Sequence, residues 1–312
     1  MPVSVKGGIS VQKKKGMNVK GKQLLRKPAF FCDLINGGLF NGRQRILPHM
    51  LRGMPEVLGY SSDDRGKKQV HLERIPDVIY AAGNEEDYLL LMDENQQQTD
   101  FSMPLRNMLN TALAYMQQKK QIEELHRQRH DLKSGSEYLS GFAEQDRLHP
   151  VICIIFYHGE IPWEGGTSLY DILRFPAGFD DMKRLCPDFP MNLIHAWNVD
   201  PEHFRTELRV VFELLPYAAD KERLQEYVRS HPQHFRNLTA EECDMLEVFI
   251  GMKNLGETER EGYRNDEGGY DMCTALVELR QEGREEGKME GEIVKIISIV
   301  RKKLRKGKSL SV

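Results

Sequence analysis

The stretch VHLERIPDVIYAAGNEEDYLLLMDENQ, residues 70–96, decides the fold class. Two runs rich in β-branched and apolar residues, Val70–Tyr80 and Tyr88–Gln96, flank AAGNEED, whose Gly and Asn are turn formers. The pattern predicts a β-hairpin. With the turn centred between Glu85 and Glu86, antiparallel register sets Tyr80 opposite Leu91 and Asp77 opposite Glu94, with their Cβ atoms about 5 Å apart. Strand alternation places Gln96 on the face of Glu94 and turns Asp93 and Asn95 to the other side. The hairpin therefore gathers two carboxylates and a long amide on a patch that Ile75, Ile79, Leu90 and Met92 should otherwise bury. Ionised carboxylates are costly in such a place unless a partner offsets their desolvation. Two hard oxygen ligands on rigid strands suit Mg²⁺ or Mn²⁺. The residues alone also allow Asp77 and Glu94 to end at a wet sheet edge and bind nothing.

Outward from the hairpin, Phe30, Phe31, Leu34 and Ile35 repeat at helical spacing and predict a short amphipathic helix that ends at Gly37 and Gly38. After the hairpin, Pro104 near a first helical position opens a stripe of Leu105, Met108, Leu109, Ala112, Leu113 and Met116. The run Val151–Tyr157, bounded by Pro150 and Gly159, reads as a strand buried on both faces. MNLIHAW, from Met191, reads as a further strand, and from Pro201 onward the period is helical. The order helix, strand, strand, helix, strand, helix, strand predicts an α/β domain with a mixed sheet flanked by helices, followed by a helical C-terminal region. The expected divisions are a flexible basic arm over 1–27, a core over 28–200, a helical region over 201–275 and a charged tail over 276–312.

The composition fits a globular chain: of 312 residues, 40% are hydrophobic and 29% charged, which excludes disordered and collagenous classes. A formal net charge of -3 predicts no general attraction to polyanions, yet residues 1–28 hold eight Lys/Arg and no Asp/Glu. The five cysteines are widely spaced with no CxxC pair, which argues against a disulfide framework or zinc knuckle and for a reducing cytoplasm. The apolar runs are too short to span a bilayer, and the basic N-terminus lacks the apolar segment of a signal peptide. In the tail, Gly283, Gly287 and Gly291 recur every fourth residue, which on a helix gives either a self-association seam or a solvated, frayed linker. Six Lys/Arg between Arg301 and Lys308 beside an apolar stripe favour a partner helix or nucleic acid over a membrane surface.

IPDVIY, followed by ENQ with sixteen residues between Asp77 and Glu94, resembles the PD-(D/E)xK nuclease signature, with Gln96 in place of the usual lysine. The segments FFCDLINGGLFNGRQRILPHML, ERIPDVI, ENQQQTDFSMPLRNMLNTALAY, HPVICIIFYHGEIPW and the EG-repeat tail resemble, in this order, the recombination-promoting nuclease (Rpn) family, also described as YhgA-like transposases, in its clostridial type. The resemblance covers about residues 28–308. It implies a restriction-endonuclease-like fold and a Mg²⁺- or Mn²⁺-dependent DNA endonuclease tied to recombination or transposition. It also implies metal-binding acids at Asp77 and Glu94, a water-orienting residue at Gln96 and a further acid at Asp33, which from the residues alone is as well a helix-surface or capping aspartate. His158, in YHGEIPW, matches a recurrent family histidine and reads as structural.

A glutamine amide brings no charge to a phosphate, so a cation such as Arg106 or Lys67 is expected nearby, unless the metal alone suffices. The basic arm (Lys13, Lys14, Lys15, Lys20, Lys22, Arg26, Lys27) is expected either to contact DNA phosphates without sequence specificity or to be a solvated tail. The competing expectation is a non-enzymatic module that binds DNA through the arm and forms homo-oligomers through the tail. RNA cleavage would use the same site, but no 2′-hydroxyl reader is evident. Family tails resembling KGKSLSV run on through a further acidic helix, so a chain stopping at Val312 is expected to carry a shortened seam.

Overall fold

The hairpin forms in the expected register. In the computed structural model, which describes residues 20–55, 58–61, 71–252 and 258–273, β4 (Val78–Gly83) and β5 (Tyr88–Gln96) are antiparallel with Tyr80 opposite Leu91. The turn is closed by Asn84, whose side-chain oxygen accepts from the backbone N–H groups of Glu86 at 2.8 Å and Asp87 at 2.6 Å. The first run is not one strand. β3 (His71–Arg74) pairs only with β2 (Leu58–Ser61), and Pro76, which has no N–H to donate, separates it from β4. Ile75, expected to be buried, is 56% exposed at this break.

β5 also pairs in parallel with β6 (Val151–Tyr157), and β6 with β7 (Asn192–His195), while β1 (Leu51–Gly53) adds to β4. The five-stranded mixed sheet has the order β1-β4-β5-β6-β7. β6 is an interior strand and its last five residues are buried, as its unbroken apolar run predicts. The chain between β6 and β7 forms only 3₁₀ turns at Leu169–Ile172 and Asp180–Leu185, in place of the expected helix. Pro162, Pro176, Pro187 and Pro190, with Gly165, Gly166 and Gly178, deny this segment a long uninterrupted helical run.

Strand alternation divides the sheet into two faces. Ile79, Leu90, Met92, Cys153 and Ile155 pack against Met103, Leu113 and Ala114 of α2 (Met103–Arg129). On the opposite face, Tyr80 lies 4.8 Å from Phe31 of α1 (Pro28–Phe40), and Phe156 lies 5.5 Å from Phe212, ring centroid to centroid. α1 does not stop at the glycine pair. A Cβ on Gly37 would come within 2.5 Å of the Phe204 ring and one on Gly38 within 2.5 Å of Ile194, so the glycines permit close packing inside the helix.

The expected apolar stripe of α2 is not its most buried face. Asn107, Asn110, Thr111 and Gln118 are buried, while Leu105 is 51% exposed. Each of two buried amides has a definite partner: Gln118 exchanges hydrogen bonds with the backbone of His149 at 2.8 and 3.1 Å, and Asn110 serves Glu94. Polar burial is satisfied at Gln118 and at the Asn110 Nδ2, while the side-chain oxygens of Asn107 and Asn110 have no hydrogen-bond partner among the described residues.

The chain divides into two compact units, one of residues up to Ala219 with Val248–Ile250, the other of Asp220–Glu247 and residues from Gly251 on. The boundary expected at 200 therefore falls inside the first unit, whose helix α3 (Leu208–Leu214) is largely buried. In the second unit, Asp220 caps α4 (Lys221–Ser230), Arg260 pairs with Asp244 at 2.6 Å, and Leu238 bridges to Tyr270. Within the stretch expected as a basic arm, residues 20–25 are helical and Leu25 is fully buried. The tail expected over 276–312, with Gly283, Gly287 and Gly291, and Lys13, Lys14, Lys15 and Lys67 lie outside the described residues. Among the described residues, no helix is long and apolar enough to cross a membrane.

Candidate acid site at the end of the hairpin

Asp77 follows Pro76 and lies one residue beyond the end of the β4–β5 ladder, whose last pair is Val78 opposite Asp93. Its N–H donates to the carbonyl of that same Asp93 at 2.9 Å, so it departs from the regular register at the hairpin's open end. Asp77 Oδ2 accepts from the Asn95 N–H at 2.8 Å, and Oδ1 is in an ion pair with Lys22 Nζ. Glu94 is buried. Its Oε1 accepts from Asn110 Nδ2 at 2.8 Å, its Oε2 pairs with Arg106 at 2.5 Å, and Gln96 Nε2 lies 3.5 Å from the same oxygen. Arg106 reaches back to Asp100 at 3.4 Å. The expected triad of Asp77, Glu94 and Gln96 is thus brought together, and of the two expected cations Arg106 is present at it.

A cavity of about 930 Å³ opens at this end of the sheet, lined by Lys22, Asp77, Asn95, Gln96, Arg106 and His158 among others. Glu94 does not line it, although Arg106 and Gln96, which touch Glu94, do. His158 donates its backbone N–H to Gln96 O at 2.9 Å, and its Nδ1 has no hydrogen-bond partner among the described residues. Burial pushes its imidazole down to about 4, so it is neutral at pH 7.

Four other residues expected at the site, Asp33, Lys22, Arg26 and Lys27, have partners of their own. Asp33 is buried on α1 and spends its carboxylate on the chain at Arg205 and Thr206. It accepts from Arg205 N at 2.9 and 3.0 Å, from Thr206 N at 2.8 Å and from Thr206 Oγ1 at 2.6 Å. It clamps a loop, and no group of three His, Cys, Asp or Glu side chains that could hold a metal occurs among the described residues. Lys22 is engaged with Asp77 instead of belonging to a free arm. Lys27 lies over the Phe30 ring, 5.3 Å from its centroid, and the carbonyl of Arg26 accepts from Tyr80 OH at 2.5 Å.

Asp93 and Asn110 were not legible as participants. Asp93 is completely buried on the α1 face, and neither carboxyl oxygen has a hydrogen-bond partner among the described residues. Burial first, then the charges of Asp77 and Glu94, hold it well above the usual carboxylate range. The signal for Asn110 is its place four residues after Arg106, which puts both on one helical face.

The donor set fits a hard divalent cation. Asp77 and Glu94 present hard carboxylate oxygens near the open end of the hairpin, and the Lys22 ammonium and Arg106 guanidinium already rest on them as side-chain cations. Two carboxylates without a protein-supplied third acid suit an ion that retains waters and takes substrate oxygens. No family model matches this chain, and no curated protein or solved structure matches it at a significant level.

Proposed function

We propose that this protein is a divalent-metal-dependent DNA endonuclease of the restriction-endonuclease-like class, allied to the recombination-promoting nucleases whose motifs it resembles. The observation that carries the reading is that Asp77 and Gln96 line one cavity at the open end of the hairpin together with the cationic Lys22 and Arg106, while Glu94, beside Gln96, is paired with that Arg106. Asp77 and Glu94 would hold Mg²⁺ or Mn²⁺, which when bound lowers the pKa of a water and offsets charge developing on the phosphate. Asn95 holds the Asp77 carboxylate through its N–H and Asn110 holds that of Glu94, so each acid would keep one fixed donor if a cation replaced its ion pair. Gln96 orients the attacking water by hydrogen bonding alone. Arg106 and Lys22 supply the positive charge that a glutamine lacks. DNA is bound through its backbone without strong sequence preference, in a reducing cytoplasm compatible with five free cysteines.

Nicking of supercoiled plasmid in Mn²⁺ or Mg²⁺ tests this reading. Wild-type protein should nick, while Asp77→Asn and Glu94→Gln should lose several kcal/mol of transition-state stabilisation, on the scale of a Lewis-acid contact. No cleavage of any DNA form by the wild type would refute it.

One observation favours a second reading. Both oxygens of Glu94 already have partners, in Asn110 and Arg106, as expected of a retired site in a DNA-binding or self-associating module. Under this reading, DNA binding is salt-sensitive and unchanged by either substitution, with no cleavage.

A further inference from the structure

The cations at the acids carry an inference that rests on the nuclease reading. Lys22 Nζ pairs with Asp77, and its side chain, 37% exposed, lines the cavity together with Gln96. Its backbone is fixed. Leu25 is fully buried, the Arg26 carbonyl accepts from Tyr80 OH, and a Cβ on Gly21 would lie 3.3 Å from Val248. The ammonium is thus held over Asp77 by an anchored segment while remaining open to the cavity. Arg106 is the less available cation, because Glu94 and Asp100 hold it from two sides.

We propose that Lys22 competes with a divalent cation for Asp77 and, once displaced, directs its ammonium to the scissile phosphate, so that it replaces the lysine absent at position 96. The charges are consistent with an exchange. Two carboxylates are balanced by two side-chain cations in the pairs Asp77–Lys22 and Glu94–Arg106. A divalent ion on the acids balances both carboxylates by itself and leaves Lys22 free to face a phosphodiester anion. A lysine suits this exchange better than an arginine, since its ammonium is a compact charge on a flexible stem and is not locked into a bidentate fork.

The test combines two readouts on wild-type, Lys22→Gln and Lys22→Arg proteins: calorimetric titration with Mn²⁺ alone, and single-turnover plasmid nicking at saturating Mn²⁺. Lys22→Gln should bind Mn²⁺ about tenfold tighter, because a competing charge is gone, yet nick about 100-fold more slowly, the scale of one lost oxyanion contact. Lys22→Arg should move both values back toward wild type. A structural role for Lys22 would not tighten metal binding. Unchanged or weaker Mn²⁺ affinity in Lys22→Gln overturns the exchange, as does nicking at the wild-type rate; either result leaves the nuclease reading intact if the wild type binds Mn²⁺ and cuts. A wild type that does not cut overturns the nuclease reading and the phosphate role of Lys22 with it. In that case, tighter Mn²⁺ binding by Lys22→Gln still supports the competition for Asp77, and silence in both proteins overturns that as well.

Discussion

Asn110, one turn after Arg106 on α2, donates through Nδ2 to Oε1 of Glu94 at 2.8 Å, which ties the helix to the acid that the hairpin carries into the interior. Glu94 is 4% exposed, so each of its oxygens depends on protein donors. Asn110→Ala should remove the amide donor from Oε1. The expected cost is about 1–3 kcal/mol, the desolvation penalty of an unsatisfied buried acceptor, read as a lower urea midpoint at unchanged m. A midpoint equal to that of the wild type would mean that water replaces the amide at no cost.

Asp33 separates a structural acid from a metal ligand. Its carboxylate accepts four hydrogen bonds from Arg205 and Thr206, so Asp33→Ala should cost about 2–4 kcal/mol, more than one charge-assisted bond and less than their sum. Mn²⁺ affinity should not change. A stability near wild type with weakened Mn²⁺ binding would restore Asp33 to the metal shell.

A methyl group at position 37 sets two effects of opposite sign against each other. Gly37→Ala gains about 1 kcal/mol of helix propensity. The new Cβ would press within 2.5 Å of the Phe204 ring, which is itself stacked on Phe212 at 4.2 Å and has little room to move. Overpacking of this kind costs about 1–3 kcal/mol, so a net fall in thermal midpoint is expected, and a rise would show that the ring yields.

His126 gives the fold a pH-dependent contact. Its Nδ1 meets Asp131 at 2.5 Å and its Nε2 meets Asp146 at 2.8 Å, and hydrogen bonds from Asp131, then Asp146, raise its imidazole above the ordinary 6.5. A raised histidine binds its proton more tightly in the folded state. The contribution is therefore complete below about pH 6.5 and fades as pH rises through the raised value. In urea unfolding from pH 5.5 to 8.5, wild type should lose stability relative to His126→Gln as pH increases. Parallel curves would remove His126 as the source.

What the sequence disclosed about this protein was local. The turn residues around Asn84 and the apolar alternation of β4 and β5 fixed the register from Tyr88 opposite Gly83 to Asp93 opposite Val78, because a one-residue slip would reverse every side chain; the pairing of Asp77 with Glu94 expected beyond it is not part of this ladder. The apolar run of β6 likewise announced a strand buried on both faces. Features decided by distant partners were not visible. Asp33 is bound by residues 172 and 173 positions away, and nothing around it in the chain marks it as a loop clamp. The apolar stripe of α2 misled because Asn110 and Gln118 have satisfied partners on β5 and at His149, so polar side chains occupy the inner face. Lys22 read as one charge in a basic arm, and its place at Asp77 depends on the burial of Leu25 three residues later.

The most direct measurement is calorimetric titration of Mn²⁺, in the presence of a short non-cleavable DNA duplex, into wild-type protein and Asp77→Asn. The duplex supplies the phosphate oxygens that a site of two carboxylates leaves open to its ligand. A binding heat in the wild type that vanishes in Asp77→Asn is the predicted result. No heat in the wild type, or equal heat in both proteins, would contradict a divalent cation held between Asp77 and Glu94.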